Sequence, residues 1–127
     1  MSTAWMNHAQ NRNKGIAGER EVTRYLKSQG YTIVARNYRT KYGEIDIIAL
    51  DGEYLVFVEV KSRLSNQYGN PVESVDTTKQ KRIIKSAKAF WYFGAYREYQ
   101  PRFDVVEVFY HNGQIKINAI ENAYGET

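Results

Sequence analysis

The sequence contains no cysteine and only two prolines, Pro71 and Pro101, among its 127 residues. The absence of cysteine excludes a disulfide scaffold and any zinc site with thiolate ligands, and it is consistent with a reducing cytosol. No apolar run approaches the ~18 residues of a transmembrane helix, and the polar segment 1–15 lacks the apolar core of a signal peptide. We therefore expect a cytoplasmic protein with no membrane partner.

The bulk composition is that of an ordinary globular domain, with 43% hydrophobic and 25% charged residues. The length fits one domain, which is large enough to bury a core without covalent cross-links. We expect a flexible segment over residues 1–12, a single domain over 13–121 and a tail over 122–127. The net charge of +4 favours a polyanionic partner, although many unrelated proteins are equally basic.

The hydrophobic pattern predicts an α/β fold. Helical spacing is found over residues 14–29 and 78–92, and strand patterns over 31–38, 44–50, 54–63, 102–110 and 114–120. The strand at 54–63 is apolar on both faces, which indicates a central strand covered on both sides. The order of elements predicts a mixed sheet of about five strands flanked by helices.

Polar residues interrupt two of these apolar strands. Asp46 lies between Ile45 and Ile47, and Glu59 follows a run of apolar residues on the central strand. Lys61 is two residues beyond Glu59, so the two side chains should leave the same face of the strand. Burying a charge without a partner is costly, so each of these residues needs an explanation.

Two helical residues also point towards the expected core. Glu19 is three residues before Val22 on the apolar face of the first helix, and Gln80 precedes Ile83 on the apolar stripe of the second. Gln80 is also three residues after Thr77, a spacing that predicts a capping box at the start of the second helix.

Each of these residues has an ordinary structural explanation. Glu59 and Lys61 could form an ion pair at a strand end, and Asp46 could accept hydrogen bonds from a turn. Glu19 could complement the helix dipole, and Gln80 could serve only as a capping residue. Taken together, however, three carboxylates and a lysine point inward from elements that must pack against one another. Such a cluster suits Mg²⁺ or Mn²⁺, and it contains what phosphodiester hydrolysis requires.

Several segments resemble the bacterial YraN family of predicted endonucleases. They are residues 43–49 (GEIDIIA), 56–63 (VFVEVKSR), 15–19 (GIAGE), 30–31 (GY), 36–39 (RNYR) and 102–106 (RFDVV). The resemblance covers the chain from about residue 13 to 121. That family in turn resembles Holliday-junction resolvases within the PD-(D/E)xK nuclease superfamily, although Ile45 stands where the superfamily motif often has proline.

The resemblance implies a restriction-endonuclease-like core and a role for each candidate residue. It implies metal ligation by Asp46 and Glu59 with the Val60 carbonyl, and an action of Lys61 on the attacking water. It also implies that Glu19 supports the metal and that Gln80 lies in a region where a helical polar residue often contributes.

Basic residues cluster in two segments near these positions. A charged helix face is usually only solvated, but the second helix has no acidic residue between Thr77 and Arg97, which favours phosphate contacts. Arg63 could extend the site beyond Lys61. The candidate nucleic-acid-binding residues are Arg36, Arg39, Lys41, Arg63, Lys79, Lys81, Arg82 and Lys85.

The leading hypothesis is a Mg²⁺- or Mn²⁺-dependent endonuclease that hydrolyses DNA, with branched and single-stranded forms as candidate substrates. The alternative is a nuclease-fold DNA-binding accessory protein with little or no catalysis, acting in DNA uptake or recombination. RNA is not excluded as a substrate, and a homodimer is left open. Fold and motif give a reaction class and do not give a biological role.

Overall fold

The computed structural model describes residues 8–64 and 76–125, with the side chains of the first helix described from Gly18 onward. Seven elements follow one another along the chain. They are α1 (His8–Ser28), β1 (Thr32–Thr40), β2 (Gly43–Asp51), β3 (Tyr54–Leu64), α2 (Thr77–Phe93), β4 (Gln100–His111) and β5 (Gln114–Tyr124). No helix in the described ranges is long and apolar enough to cross a membrane.

The five strands form one mixed sheet in the order β1-β2-β3-β4-β5. Neighbouring strands are antiparallel except β3 and β4, which are parallel, with α2 in the connection between them. Parallel neighbours require such a crossover, whereas the antiparallel pairs are joined by short turns. The predicted α/β fold with a mixed five-stranded sheet and helices is confirmed, and it is consistent with a restriction-endonuclease-like core.

Each face of the sheet carries its own hydrophobic cluster. Leu55 and Phe57 of β3 belong to a cluster with Ile83 and Ala87 of α2. Val56 and Val58 pack on the other face with residues of α1. The prediction that β3 is central and covered on both faces is therefore confirmed, and the two helices lie on opposite sides of the sheet.

Glycine and asparagine shape the turns that the sequence indicated. Gly30, just beyond α1, has a φ of 90°, a left-handed conformation that only glycine adopts without strain. Asn112 and Gly113 have φ values of 48° and 77°, as a two-residue hairpin turn requires. These turns fix the hairpin register and the direction of the chain after α1.

The elements extend further than the sequence pattern predicted. α1 begins at His8 and not at residue 14, so it includes part of the segment expected to be flexible, and β5 continues to Tyr124 into the expected tail. The predicted loop at residues 65–75 and the terminal segments 1–7 and 126–127 lie outside the described residues.

Candidate functional site

Asp46 and Glu59 lie at the end of the β2–β3 hairpin furthest from its turn. The paired residues run from Asp51 and Tyr54 to Ile47 and Val58, and Asp46 and Glu59 are the next residues of their strands. The register excludes the pairing of Asp46 with Val58, which would have separated the two carboxylates. Asp46 and Glu59 lie just beyond the last regular pair, Ile47 and Val58, and their carboxylates are in contact.

The β2 strand is irregular at Asp46. Ile45 and Ile48 belong to the same hydrophobic cluster, although residues three apart in a regular strand lie on opposite faces. The neighbouring strand is irregular at the same level, because Asn37 of β1, which the register sets opposite Asp46, has a φ of 53°. These irregularities allow the Asp46 carboxylate to contact groups from more than one layer of the fold.

Two neighbouring carboxylates surround Asp46. Its Oδ2 accepts a hydrogen bond of 2.8 Å from the Val60 amide, and it shares hydrogen-bonding contacts with Glu59 and with Glu19 of α1. Burial and the charge of Glu59 raise the pKa of Asp46 to about 8. Without a cation, the carboxyl of Asp46 therefore retains its proton well above the ordinary range of an aspartate.

Asn37 links Glu19 to the rest of the cluster. With its amide oriented so that the nitrogen faces the carboxylates, it donates to Glu19 Oε2 at 3.0 Å and to Glu44 Oε1 at 3.0 Å. Burial and the charge of Glu44 raise the pKa of Glu19. Asn37 lies inside a strand, where asparagine is unusual, and this is the one sequence signal that points to its role.

Two lysines approach Glu59, whose side chain is almost fully buried. Lys79 Nζ is 2.5 Å from Glu59 Oε1, and Lys61 Nζ is 3.7 Å from the same oxygen. Burial and the charge of Lys79 lower the pKa of Lys61. Burial alone would also lower the pKa of Lys79, but its hydrogen bond to Glu59 and the charge of that carboxylate raise it.

The start of α2 brings Lys79 to the site. The capping prediction is wrong here: the N-cap is Asp76 and not Thr77, and its Oδ1 accepts a hydrogen bond of 2.8 Å from the Lys79 amide. The sequence pattern favoured the wrong residue because both positions carry side chains that can cap a helix. Gln80 is half-buried in the same turn, next to Lys79, and its contribution to the site stays a prediction.

The other candidate nucleic-acid-binding residues divide into two groups. Lys41, Lys81, Arg82 and Lys85 line a cavity of about 560 Å³ between the β1–β2 turn and α2. Arg36 and Arg39 are exposed, and Arg39 Nε is 3.8 Å from Glu44.

Arg63 is not brought into this cavity. Its Nε is 2.6 Å from Glu107 Oε2, and both side chains are largely buried. The ion pair gives Arg63 a partner within the sheet, and its contact with a nucleic acid stays a prediction. The sequence could not indicate this pair because Glu107 is far away along the chain.

The donor set at Asp46 and Glu59 consists of oxygen atoms, the ligands that hard divalent cations prefer. No three His, Cys, Asp or Glu side chains among the described residues are grouped as a complete metal cage. Mg²⁺ commonly uses only one or two carboxylates and completes its coordination with water and substrate phosphate. Asp46 and Glu59 could hold such an ion, and ligation by the Val60 carbonyl stays a prediction.

Comparison with known proteins gives a consistent family match. The model of a family described as uncharacterised protein family UPF0102 matches residues 18–108. A UPF0102 protein of Caldanaerobacter subterraneus subsp. tengcongensis is 40% identical over 122 residues, covering 94% of this chain and 100% of that protein. Another from Clostridium perfringens is 42% identical over 116 residues, covering 90% and 95%. A third, from Chlorobium chlorochromatii, is 48% identical over 97 residues, covering 76% and 74%.

Proposed function

The chain belongs to the UPF0102 family, and we propose that it is a divalent-metal-dependent endonuclease that hydrolyses DNA phosphodiester bonds. The observation that carries this proposal is the contact between the Asp46 and Glu59 carboxylates with Lys61 and Lys79 beside them. Burial and the nearby charge of Glu59 disfavour the ionised form of Asp46, and a functional cation bound between the two carboxylates would offset that cost.

The two central carboxylates would bind the metal. When bound, Mg²⁺ or Mn²⁺ would lower the pKa of a coordinated water and stabilise charge on the phosphoryl oxygens. The Val60 amide orients Asp46 through its hydrogen bond, and Glu19 contacts Asp46 from the α1 side. Glu19 thus supports the position of a ligand from the opposite layer of the fold.

The two lysines would act on the substrate. Lys61 extends from the same strand face as Glu59, and its lowered pKa suits a group that exchanges hydrogen bonds with an attacking water. Lys79 carries a positive charge at the start of the helix that lines the basic cavity. It can compensate the negative charge of a phosphate that approaches the carboxylates.

The decisive experiment is cleavage of linear, flapped and four-way DNA with Mg²⁺, with Mn²⁺ and with a chelator. We expect metal-dependent cleavage that falls at least about 100-fold in Asp46→Asn and in Lys61→Ala. Glu53→Gln is the matched control, since it removes a carboxylate from the exposed β2–β3 turn and should cleave like the wild type. Equal cleavage by all four proteins would assign the activity to another site.

The accessory-protein alternative is supported by the basic cavity, which could bind DNA whether or not the carboxylates catalyse a reaction. A wild-type protein that binds DNA but cleaves none of these substrates with either metal would favour it. That outcome would overturn the proposed endonuclease activity.

A further inference from the structure

Three cavities that share lining residues follow α2 from Lys79 towards its C-terminal end. Their volumes are about 300, 560 and 440 Å³, and the Tyr42 side chain lines all three. Lys79, the partner of Glu59, lines the first cavity, and Phe93 lines the last. We refer to this surface as the Tyr42 groove, defined by Tyr42 on one wall and Lys81, Arg82, Lys85, Tyr92 and Phe93 on the other.

The α2 wall of the Tyr42 groove carries mainly positive charge, although Glu44 and Asp76 also line the cavity next to Lys79. Lys81, Arg82 and Lys85 are exposed, and none of them is paired with an acidic residue in the described part of the chain. Lys41 adds a fourth cation from the β1–β2 turn. Unpaired cations lining a groove attract a polyanion, and they contact its phosphates without regard to sequence.

Exposed aromatic rings lie beside these cations, with Tyr42 opposite α2 and Tyr92 and Phe93 at the far end of the groove. Tyr42 is 36% exposed, Tyr92 53% and Phe93 83%, which makes them three of the four most exposed large hydrophobic residues in the described chain. Lys41 and Lys85 lie 5.2 and 5.4 Å from the centre of the Tyr42 ring. The Tyr42 ring therefore lies among positive charges, the Tyr92 ring lies 4.9 Å from Arg97, and all three rings line the last cavity of the groove.

This combination fits one class of ligand. A duplex hides the faces of its bases, so it could use the cations but not the rings. A single strand has both phosphates and unstacked bases, and aromatic platforms in basic grooves bind such strands with little sequence preference. A protein partner would use the rings but would need an acidic surface to match the lysines.

We propose that the Tyr42 groove binds single-stranded DNA and guides the strand to the carboxylate cluster. Lys81, Arg82 and Lys85 contact the phosphates, and Tyr42, Tyr92 and Phe93 stack on bases. The inference rests on the proposed function, because it takes a DNA strand as the substrate and Lys79 as the point where the groove reaches the site.

The test measures binding of a labelled oligothymidylate of about 15 nucleotides, and of a duplex of equal length, to the full chain in chelator. Tyr42→Ala and the double variant Tyr92→Ser/Phe93→Ser should each bind the single strand about tenfold more weakly, while duplex binding changes little. Tyr42→Phe should bind normally, since it keeps the ring. Ile115→Ser is the matched control, because Ile115 is 43% exposed but lies at the β4–β5 turn, outside the groove.

The lysine variants separate charge from stacking. Replacing Lys81, Arg82 and Lys85 with glutamine should weaken the binding of both single-stranded and duplex DNA, and it should reduce the salt dependence of binding. The aromatic variants should leave that salt dependence unchanged. Equal losses for single strand and duplex in the aromatic variants would overturn the proposal. Tighter binding of an oligouridylate would overturn the choice of DNA.

Sedimentation distinguishes binding to DNA from contact between copies of the chain. If the wild type is a dimer and Tyr92→Ser/Phe93→Ser is a monomer, the exposed rings form a protein interface and the groove proposal fails. Because binding is measured in chelator, the outcome does not depend on catalysis. If the wild type cleaves DNA but the aromatic variants bind single strands normally, the proposal about the Tyr42 groove fails and the proposed endonuclease activity stands.

Discussion

Two clusters of charged side chains are built into the same sheet, and their chemistry differs. At one end of β4, Arg102 donates to both carboxylate oxygens of Asp104 at 3.0 and 2.9 Å, and to Asp51 and Tyr31. Asp104 also accepts a hydrogen bond of 2.9 Å from the Asn122 amide. Nearly every donor of the guanidinium has a partner, so this cluster needs no external ligand.

In the carboxylate cluster, by contrast, neighbouring side chains carry charges of the same sign. Asp46 contacts the carboxylates of Glu59 and Glu19, and its charged form is disfavoured by burial and by Glu59. In contrast, the neighbours of Arg102 favour its charge and raise its pKa, despite the opposing effect of burial. A closed network of opposite charges leaves no buried charge without a partner, so removing one member is destabilising. Crowded like charges instead indicate a binding or catalytic site.

The largest effect on stability should come from a substitution in the Arg102–Asp104 cluster. Arg102→Ala leaves Asp104 buried without its main partner, and we expect a loss of about 3–5 kcal/mol in the free energy of unfolding. Urea denaturation measures it. Asp51→Asn, which alters a partly exposed partner of the same arginine, is the control and should cost much less. An Arg102→Ala protein as stable as the wild type would contradict the structural role of this cluster.

Removing a charge from the carboxylate cluster should instead increase the free energy of unfolding. Asp46→Asn should stabilise the metal-free protein by about 1–3 kcal/mol at pH 8.5. The pKa of Asp46 is raised in the folded state to about 8, so its stabilising contribution is complete below about pH 4 and is lost as the pH rises to about 8. Asparagine has no proton to lose and should not show this decline.

Thermal unfolding in chelator between pH 5 and 9 measures the difference between the two proteins. The wild type should lose stability relative to Asp46→Asn as the pH rises through this range. Parallel stability curves for the two proteins, or a variant that is less stable at pH 8.5, would mean that ionised Asp46 does not destabilise the folded protein. The Glu53→Gln control should follow the wild type at every pH.

The smallest effect should come from Lys79, whose side chain is 41% exposed. Lys79→Met removes one positive charge beside Glu59, and solvent screening limits the stability cost in metal-free protein to about 0–1 kcal/mol. Since a nearby positive charge repels a divalent cation, the variant should bind Mn²⁺ more tightly at low ionic strength. Calorimetry tests this, and weaker binding would show that Lys79 does not compete with the cation.

The contrast between the clusters also explains what could be predicted from the sequence. Asp46 and Glu59 were identifiable because each interrupts an apolar strand. Arg102 and Asp104 were not, because β4 alternates between apolar and polar residues and so resembles a strand with one solvated face. The structure buries both of its faces, since the polar residues are paired across the fold.

The hairpin and both helices could be predicted because their signals are local. The turns contain glycine or asparagine where a positive φ is required, and the helices have apolar stripes at regular spacing. The contacts of Lys79 and Arg63 depend instead on elements that are distant in sequence. Charge patterning identified both as exposed cations, whereas the packing of α2 and β4 against β3 supplies each with a glutamate.

Calorimetric titration of Mn²⁺ into four proteins is the most direct test of the claim that the carboxylate cluster is a cation site. The wild type should bind Mn²⁺ with measurable heat, Lys61→Ala should bind it at least as tightly because a nearby positive charge is removed, and Asp46→Asn should lose most of that affinity. Asp51→Asn changes an aspartate of the Arg102 cluster and should bind like the wild type. If Asp46→Asn and the wild type bind Mn²⁺ equally, or if neither binds it, the cluster is not a metal site and the proposed chemistry is wrong.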